Sequence, residues 1–420
     1  MKSRVGTLLM VILVFISASA TLWANGNSEN ETAEEPIVLK VWNRNGTLMG
    51  GAVEAFNAKM EAEGRDLRAE FTLVPYEEQS SKFLSSLAAK TAPDVYAIDL
   101  ILAPYFSEMG AWMDITTEVN NLGFQDDLNP GMFRIGEWNG KQYCLPWAND
   151  NSSLIYNKTI FTEMGLEPPT TWEETLQVAK IITEQSDKYG ITFSGANSGM
   201  TMFTWLPFAW MNGAQLITDN GKDTTIDSEA GVGALQFWTE LAQYAPEGAP
   251  VYDYGDYYNG FVTGQVAMIF GGSWHVMSIS NDAPELDFGI IPFPVPEKGN
   301  DTSAFMGGDI MGITAQTAHP KEAMEFVAFC LSEETQIEIL AKNGSVPVRL
   351  SVAVDNPYFD KDPRYKVFAA GGQFGRAPKA LNYNDITTVM GTIMPKALSG
   401  EVSPEDALKE AAPQIRDRLQ

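Results

Sequence analysis

The chain has 420 residues, of which 45% are hydrophobic, and its formal net charge is −26. This length exceeds that of one typical hydrophobic core, so we expect two domains. Phosphate groups are bound by clustered Lys and Arg, so the acidic balance argues against nucleic acid and against an anionic membrane surface as partners. The simplest interpretation of the charge is solubility.

The first 24 residues have the pattern of a secretory signal peptide. Lys2 and Arg4 give a positive start, residues 8–16 are apolar but too few to span a bilayer, and small residues lead to Ala24. No cysteine lies near this cleavage region, so no lipid anchor is predicted. Residues 25–36 are polar and acidic and are expected to form a disordered tether. The protein is therefore expected to be exported.

Two cysteines and two histidines leave little material for metal binding or nucleophilic catalysis. Cys144 and Cys330 could pair in an oxidising compartment, although their apolar neighbours are typical of small core residues. His275 and His319 stand apart, and neither an HExxH nor a CxxC spacing occurs. A GxSxG nucleophile motif is also missing from the sequence. We predict no metal, no cofactor and no catalytic residue.

The first third of the chain predicts a βαβαβ order. Strands are predicted at residues 37–42, 68–74 and 94–98, and helices at residues 51–63, 79–90 and 102–109. Parallel strands with right-handed crossovers bring three loops to one edge of the sheet, namely residues 43–45, residues 76–78 and Asp99. Ligands of open α/β sheets bind at the carboxyl ends of the strands, so Asp99 is a candidate ligand-binding residue.

The middle and end of the chain alternate between strands and helices. Residues 142–158 predict a strand, a polar break containing Trp147, Asn149 and Asp150, and a second strand, a pattern that suits a crossing between domains. Thr171 and Glu174 form a capping box for the next helix. Further strands are predicted at 189–194, 266–270, 287–293 and 305–314, a hairpin around 219–221, and helices at 200–211, 228–244, 321–331, 333–342, 384–398 and 403–419.

Several tryptophans adjoin polar loops, which suits a sugar ligand. The apolar face of a sugar stacks on a flat ring, while its hydroxyl groups take directional hydrogen bonds from nearby carboxylates and amides. Trp42, Trp147 and Trp274 have this setting, and Trp205 and Trp210 are candidate wall residues. For any single tryptophan, packing in a core is the commoner role.

Three aspartates support a second hypothesis, a secreted glycoside hydrolase. Asp99, Asp150 and Asp309 would have to provide two carboxylates at a fixed spacing across the bond, one of them with a raised pKa. The sequence does not establish that spacing.

Six segments occur in an order that is typical of one protein family. They are APDVYAID followed by FSEMGAWMDIT, then GKQYCLPWANDNSSLIYNK, GLEPPTTWEE, FVTGQVAMIFGGSW, FMGGDIMGIT and HPKEAMEFVAFCLSEETQ. In this order they resemble extracellular solute-binding proteins of carbohydrate ABC transporters, the maltose-binding-protein-like group. The resemblance runs through nearly all of the chain after the signal peptide.

The resemblance implies an α/β fold of two lobes, each a sheet flanked by helices and joined by hinge segments, which is the type II periplasmic-binding-protein fold. Lobe 1 would contain residues 37–147 and 305–350, and lobe 2 residues 148–304 and 351–420. The implied function is capture of a mono- or oligosaccharide by hinge closure, without catalysis. The implied partners are the permease subunits of an ABC importer in the inner membrane, and the protein is expected to be a free periplasmic monomer.

The positions that match the family's motifs define a candidate ligand site. By resemblance it contains Asn43, Arg44, Asn45, Glu77, Asp99, Asp150, Trp274, Gly307, Gly308 and Asp309, with Arg376 as a looser match, and Trp147 and Trp205 are added for their rings. Met202 stands where maltose-binding protein has an aromatic residue, which argues against maltose itself. A polyamine or a glycerol phosphate is the alternative ligand for this fold: carboxylates would suit the first, whereas the second would need more cations than Arg44 and Arg376.

Overall fold

The computed structural model of the chain describes residues 36–219 and 221–420, so the predicted signal peptide and residues 25–35 of the predicted tether lie outside the described residues. The strands are β1 (Ile37–Asn43), β2 (Leu67–Leu73), β3 (Val95–Asp99), β4 (Glu137–Trp138), β5 (Lys141–Gln142), β6 (Cys144–Asn151), β7 (Ser153–Asn157), β8 (Tyr189–Ile191), β9 (Val266–Gly271), β10 (Phe288–Ile291), β11 (Ala304–Ile313) and β12 (Gly375–Arg376).

Helices connect and cover these strands. The α-helices are α1 (Gly46–Ala62), α2 (Gln79–Ala89), α3 (Ala103–Glu108), α4 (Thr116–Asn120), α5 (Pro130–Ile135), α6 (Lys158–Met164), α7 (Trp172–Gln185), α8 (Ser198–Met211), α9 (Glu229–Ala242), α10 (Tyr254–Val262), α11 (Trp274–Asp282), α12 (Pro320–Cys330), α13 (Glu333–Thr335), α14 (Leu350–Ala353), α15 (Pro357–Lys361), α16 (Arg364–Gly371), α17 (Tyr383–Leu398) and α18 (Pro404–Arg418). In the part of the chain that the structure describes, no helix combines the length and the apolar character that a membrane crossing requires.

The first sheet contains the predicted βαβαβ unit. Its strand order is β12-β11-β3-β1-β2, and β6 also pairs with β11. Strands β2 and β3 run parallel to β1 on its two sides, as the predicted crossovers require. Strand β11 pairs antiparallel with β3, so that Asp309 lies opposite Asp99. Two carboxylates from distant parts of the sequence therefore meet at the carboxyl end of β3.

The second sheet has the strand order β10-β7-β9-β8. Strand β7 pairs antiparallel with both of its neighbours, and β8 runs parallel to β9. The chain passes from the first sheet to the second between Asn151, the last residue of β6, and Ser153, the first residue of β7. Residue 147, where the sequence analysis placed a lobe boundary, lies inside β6, and β12 belongs to the first sheet.

Two predictions about local structure are wrong. Trp147, Asn149 and Asp150 do not form a polar break but lie within β6, because residues 144–146 and 148–151 pair with β11. Around residues 219–221, where a hairpin is predicted, the described residues 214–219 and 221–226 contain no strand. A hydrogen bond from Thr218 N to Asp223 O nevertheless closes the turn.

Three clusters of buried apolar side chains hold the sheets and helices together. The first packs on the first sheet and includes Val41, Ile98, Phe106, Trp147 and Phe326. The second includes Trp205, Phe208, Trp238, Phe270 and Ile386, and the third includes Ile155, Phe261, Phe288, Phe359 and Phe368. Full burial of one such side chain stabilises the fold by about 1.5–3 kcal/mol. Both cysteines, Cys144 and Cys330, are unpaired thiols buried in the first cluster.

Candidate functional site

A cleft with a volume of about 810 Å³ brings residues of the first sheet against three helices. The sheet contributes side chains from the β1–α1 turn, the end of β3, β6 and β11, and the facing residues come from α8, α11 and α17. Concave sites with a few polar groups among apolar ones are the usual ligand sites of proteins. The cleft is therefore the candidate ligand site.

Arg44 bridges two carboxylates on the first-sheet side of the cleft. Its Nη1 lies 2.8 Å from Asp99 Oδ2, and its Nη2 lies 2.7 Å from Asp309 Oδ1. The ring of Tyr76 lies under the guanidinium, 5.1 Å from its central carbon. We call Arg44, Tyr76, Asp99 and Asp309 the charged wall. Its geometry is fixed by contacts within the protein.

Asparagines at the end of β1 position this wall. Asn43 is fully buried, and its Nδ2 donates to Asp309 Oδ2 at 2.9 Å and to the carbonyl of Ala97 at 2.8 Å. Asn43 Oδ1 accepts from the backbone N–H of Asn45, and Asn45 in turn caps α1 by accepting from Leu48 N at 3.0 Å. A cap of this kind satisfies an otherwise unpaired amide of the first helical turn. The turn that carries Arg44 is thus held at both ends.

The charges of the wall shift the pKa values of Arg44, Asp99 and Tyr76. Burial lowers the pKa of Arg44, but the charges of Asp309 and Asp99 raise it by more, so that Arg44 stays protonated. Burial raises the pKa of Asp99, with Asp309 adding to the rise and Arg44 opposing it. The charge of Asp99 and then burial raise the pKa of Tyr76, so its hydroxyl is neutral at physiological pH. Arg44 is the cation that contacts both of the adjacent carboxylates.

An aromatic wall faces the cleft from α8 and α11. The rings of Phe203 and Trp274 have centroids 5.3 Å apart at an angle of 45°, and these two residues form what we call the aromatic wall. Trp274 Nε1 donates to the hydroxyl oxygen of Tyr254 at 2.8 Å, and that oxygen lies 3.3 Å from His275 Nε2. Burial lowers the pKa of His275 to about 3, so its ring is neutral. The hydrogen bond to Tyr254, which is itself in contact with His275, therefore holds the indole of Trp274 in one orientation.

Asp150 lies on β6 and contacts the turn before α11. Its Oδ1 accepts from Ser273 N at 2.8 Å and from Ser273 Oγ at 3.0 Å. Burial raises the pKa of Asp150 to about 7, although the bonds from Ser273 and the charge of Arg44 act in the opposite direction. Asp150 therefore links the first sheet to the turn that carries Trp274.

Two glycines of β11 allow the backbone to pass close to its neighbours. Gly308 has φ +114°, and a Cβ at this position would lie 2.0 Å from the carbonyl oxygen of Ala148. A Cβ at Gly307 would lie 3.2 Å from the ring of Phe203. Glycine adopts positive φ without the steric penalty of other residues. Strand β11 can therefore pair with β6 and still leave room for the aromatic wall.

Comparison with known proteins identifies the family. The profile of the family described as bacterial extracellular solute-binding protein matches residues 44–337, which is more than half of the chain. The chain belongs to this family. The predicted membership is confirmed, and so is the type II periplasmic-binding-protein fold, since solved proteins of that fold superpose on nearly the whole described chain.

Relatives within the solute-binding family cover most of the chain. The arabinooligosaccharide-binding protein of Halalkalibacterium halodurans is 25% identical over 415 residues, which are 93% of this chain and 91% of the relative. The diacetylchitobiose binding protein DasA of Streptomyces coelicolor is 24% identical, over 74% of this chain and 72% of the relative. A solved ABC transporter solute-binding protein from Thermotoga lettingae, bound with alpha-D-tagatose, is 25% identical with a TM-score of 0.79, over 91% of this chain and all of that one.

The structure brings most of the predicted ligand-binding residues to the cleft. Those that line it are Arg44, Asn45, Asp99, Asp150, Trp274, Gly307, Gly308 and Asp309. Asn43 lies directly behind Asp309. In this solute-binding protein, residues from the end of β1, the end of β3, β6, β11 and the start of α11 thus share one site.

Four predicted site residues lie elsewhere. Trp147 and Trp205 are fully buried in the first and second apolar clusters, where packing takes their rings away from the cleft. Glu77 is exposed on a turn, and its neighbour Tyr76 lines the cleft instead. Arg376 lines a separate hollow together with Trp210. We therefore leave these four residues out of the proposed site.

Sequence reasoning missed several residues that line the cleft. Among them are Tyr76, Asn149, Asn197, Met200, Phe203, Ser273 and Tyr383. Met202, the residue compared with an aromatic of the family, is buried in the core, whereas Phe203 one position later lines the cleft. Helical periodicity over residues 198–211 puts adjacent residues on different faces of the helix, so it would have distinguished Met202 from Phe203. Among the described residues, no group of three or more His, Cys, Asp or Glu is arranged to hold a metal ion.

Proposed function

We propose that this protein captures a mono- or oligosaccharide in the cleft and delivers it to an ABC importer. The observation that carries the proposal is the pairing of the charged wall with the aromatic wall across one cleft. A ring such as Trp274 stacks on the apolar face of a sugar, while carboxylate and guanidinium groups bond its hydroxyls. Three of the similar proteins support the same class, since arabinooligosaccharides, diacetylchitobiose and tagatose are all carbohydrates.

The proposed mechanism is hinge closure between two lobes. We place the lobes at residues 37–147 with 305–350, and at residues 148–304 with 351–420, which assigns the two sheets mainly to different lobes. A ligand that contacts both walls binds best when the lobes are closed, so it shifts the population toward the closed state. Closure would bring together the lobe surfaces that the permease contacts. The permease could then distinguish the ligand-bound protein from the ligand-free one.

The proposed setting is the periplasm of a bacterium. The support is the signal-like pattern of residues 1–24, the polar residues 25–36 that follow it and the family's extracellular character. The partners would be the permease subunits of the importer in the inner membrane, and the protein would act as a monomer. No bond of the sugar would be broken, so incubation with oligosaccharides should release no product.

A thermal-shift screen of residues 25–420 tests the proposal. The panel contains arabino-oligosaccharides, N,N′-diacetylchitobiose and tagatose, with polyamines and glycerol phosphates as the alternative ligands. A ligand that binds only the folded state must raise the melting temperature. We expect a rise with one carbohydrate class, and we expect Trp274→Ala to lose it. A rise in melting temperature with polyamines or glycerol phosphates alone would contradict the proposal that the ligand is a sugar. Release of a shorter sugar would favour the glycoside hydrolase.

A further inference from the structure

We propose that the cleft selects uncharged carbohydrates and rejects acidic ones such as uronic acids, aldonic acids and sugar phosphates. The reason is that the guanidinium of Arg44 is already occupied by two carboxylates of the protein. This inference rests on the proposed function and specifies which class of sugar the same site takes.

The cleft offers an acidic ligand one cation. Arg44 is the only Lys, Arg or His that lines the cleft within residues 36–219 and 221–420. Its two terminal nitrogens face Asp99 and Asp309, and Tyr76 covers one face of the guanidinium. Recognition of a ligand carboxylate or phosphate by arginine is strongest when both terminal nitrogens bind it together. An acidic sugar would have to displace a carboxylate of the protein to reach that geometry.

The architecture of the first sheet prevents this displacement. The register of β3 and β11 sets Asp99 directly opposite Asp309, and like charges in such positions repel each other. Asn43 fixes the carboxylate of Asp309 from below, and the backbone N–H of Ile101 donates to Asp99 Oδ1. Neither carboxylate is free to turn away from the other. Arg44 is consequently required as their shared counter-ion and is unavailable to a ligand.

The remaining lining groups favour neutral hydroxyls and amides. Asp150 adds a third carboxylate to the cleft, so acidic side chains outnumber basic ones. Asn149 lines the cleft and is 3% exposed, and its buried Oδ1 has no hydrogen-bond partner within the protein. An unpaired buried acceptor is satisfied by a donor such as a sugar hydroxyl or an N-acetyl N–H. A carboxylate or phosphate oxygen is itself an acceptor and cannot satisfy such a group.

A matched pair of ligands isolates the effect of the negative charge. The alditol and the aldonate of arabinobiose, and those of N,N′-diacetylchitobiose, have the same open-chain end and differ only in a CH₂OH or a carboxylate. Binding is measured by titration calorimetry at pH 7.5. Because juxtaposed like charges are strongly unfavourable, we expect the aldonate to bind about 100-fold more weakly than the alditol. Equal affinities for the two ligands would overturn the inference.

Releasing Arg44 should weaken this discrimination. In Asp309→Asn and in Asp99→Asn, one protein carboxylate is neutralised, so that Arg44 gains capacity for a ligand anion. We expect the ratio of alditol to aldonate affinity to fall at least about tenfold in each variant. Asp114→Asn, which removes the exposed partner of Lys141 outside the cleft, should leave the ratio unchanged.

The outcomes separate this inference from the proposed function. Circular dichroism first establishes whether each variant is folded. If a variant is not folded, the ratio of alditol to aldonate affinity in the wild-type protein tests the selection of uncharged sugars by itself. Wild-type binding of both ligands with equal affinity overturns the selection rule and leaves the sugar-binding function standing. A ratio that stays at its wild-type value in both folded variants overturns the role given to Arg44. If the protein binds neither neutral nor acidic carbohydrates, both the proposed function and this inference are overturned.

Discussion

The two walls of the cleft are built in different ways. In the charged wall, Arg44 contacts the carboxylates of Asp99 and Asp309 at 2.8 and 2.7 Å, and the wall lies at the strand ends of the first sheet. The aromatic wall consists of rings packed on helices α8 and α11, and one hydrogen bond from behind orients Trp274. Removal of Arg44 leaves two carboxylates without a counter-ion, whereas removal of one ring removes mainly a surface for the ligand. Substitutions in the charged wall should therefore affect stability first, and those in the aromatic wall should affect affinity first.

Arg44→Ala should give the largest effect and should act on stability. It leaves Asp99 and Asp309, whose side chains are 12% and 6% exposed, opposite each other without a counter-ion. Breaking a buried pair by removing one partner costs about 3 kcal/mol of unfolding free energy, and urea denaturation measures this change. Arg68→Ala is the control, because the Arg68–Glu70 pair is exposed and surface pairs contribute little. A loss of similar size in the two variants would contradict the role of the charged wall.

Trp274→Ala should come next and should act on affinity. Loss of the stacking surface should weaken binding of the cognate sugar by about 2 kcal/mol, or roughly 30-fold. Titration calorimetry measures the change, and the unfolding free energy should change less than in Arg44→Ala. Trp138→Ala serves as the matched control, since Trp138 bonds to Glu108 outside the cleft. An unchanged dissociation constant in Trp274→Ala would remove this residue from the site.

Tyr254→Phe should have a smaller effect through Trp274. The variant removes the acceptor of the indole N–H, a single hydrogen bond worth about 1 kcal/mol, so affinity should fall roughly fivefold. In the Trp274→Ala background the same change should have no further effect, because the two residues act as one unit. Tyr258→Phe, which loses an exposed bond to Asp282, is the control. An equal effect of Tyr254→Phe in both backgrounds would show that Tyr254 does not act by orienting the indole.

Asp150→Asn should give the smallest effect, and that effect should depend on pH. The pKa of Asp150 is about 7 in the fold, above its ordinary value of 3.8, so between these values the folded state holds a proton that the unfolded state has lost. The contribution of Asp150 to stability is therefore greatest below about pH 4 and is lost as the pH rises to 7. Asparagine still accepts the bonds from Ser273 but does not titrate.

The melting temperature of Asp150→Asn relative to wild type should consequently rise as the pH increases from 4 to 7. Because Asp150 is partly exposed and lies near the charge of Arg44, we expect a difference of about 2 °C. Asp114→Asn should show no such relative rise, since a bond from Lys141 lowers the pKa of Asp114 to about 2. A relative fall for Asp150→Asn over this pH range would contradict the raised pKa.

Local sequence signals predicted those parts of the fold that short-range interactions determine. The βαβαβ order follows from apolar runs and helix periodicity, and the capping of α7 by Thr171 is confirmed by its bond to Glu174 N. The predicted start of α1 at residue 51 was too late, because the helix begins at Gly46 after the Asn45 cap. That cap was visible in the sequence as an asparagine three residues before Leu48.

The features that the sequence did not predict depend on the pairing of strands that are far apart in the sequence. The polar neighbours of Asp150 predict a loop, but β11, more than 150 residues later, pairs with it as a strand. Trp147 is buried in β6, and the pairing of β11 with β3 brings Asp309 opposite Asp99. No local pattern indicates that Arg44 is shared between those two carboxylates. The candidate site could thus be located by matching family motifs, whereas its charge balance required the three-dimensional contacts.

Hydrogen–deuterium exchange with and without the sugar from the thermal-shift screen tests the central claim most directly. If the sugar binds between the two walls, exchange should slow in residues 43–48, from the end of β1 into α1, and in residues 271–278 around Trp274 within the same complex. These segments are far apart in the sequence and share the cleft. Protection of both is the predicted result. Protection of one segment alone, or of neither while the sugar is bound, would contradict binding across the two walls.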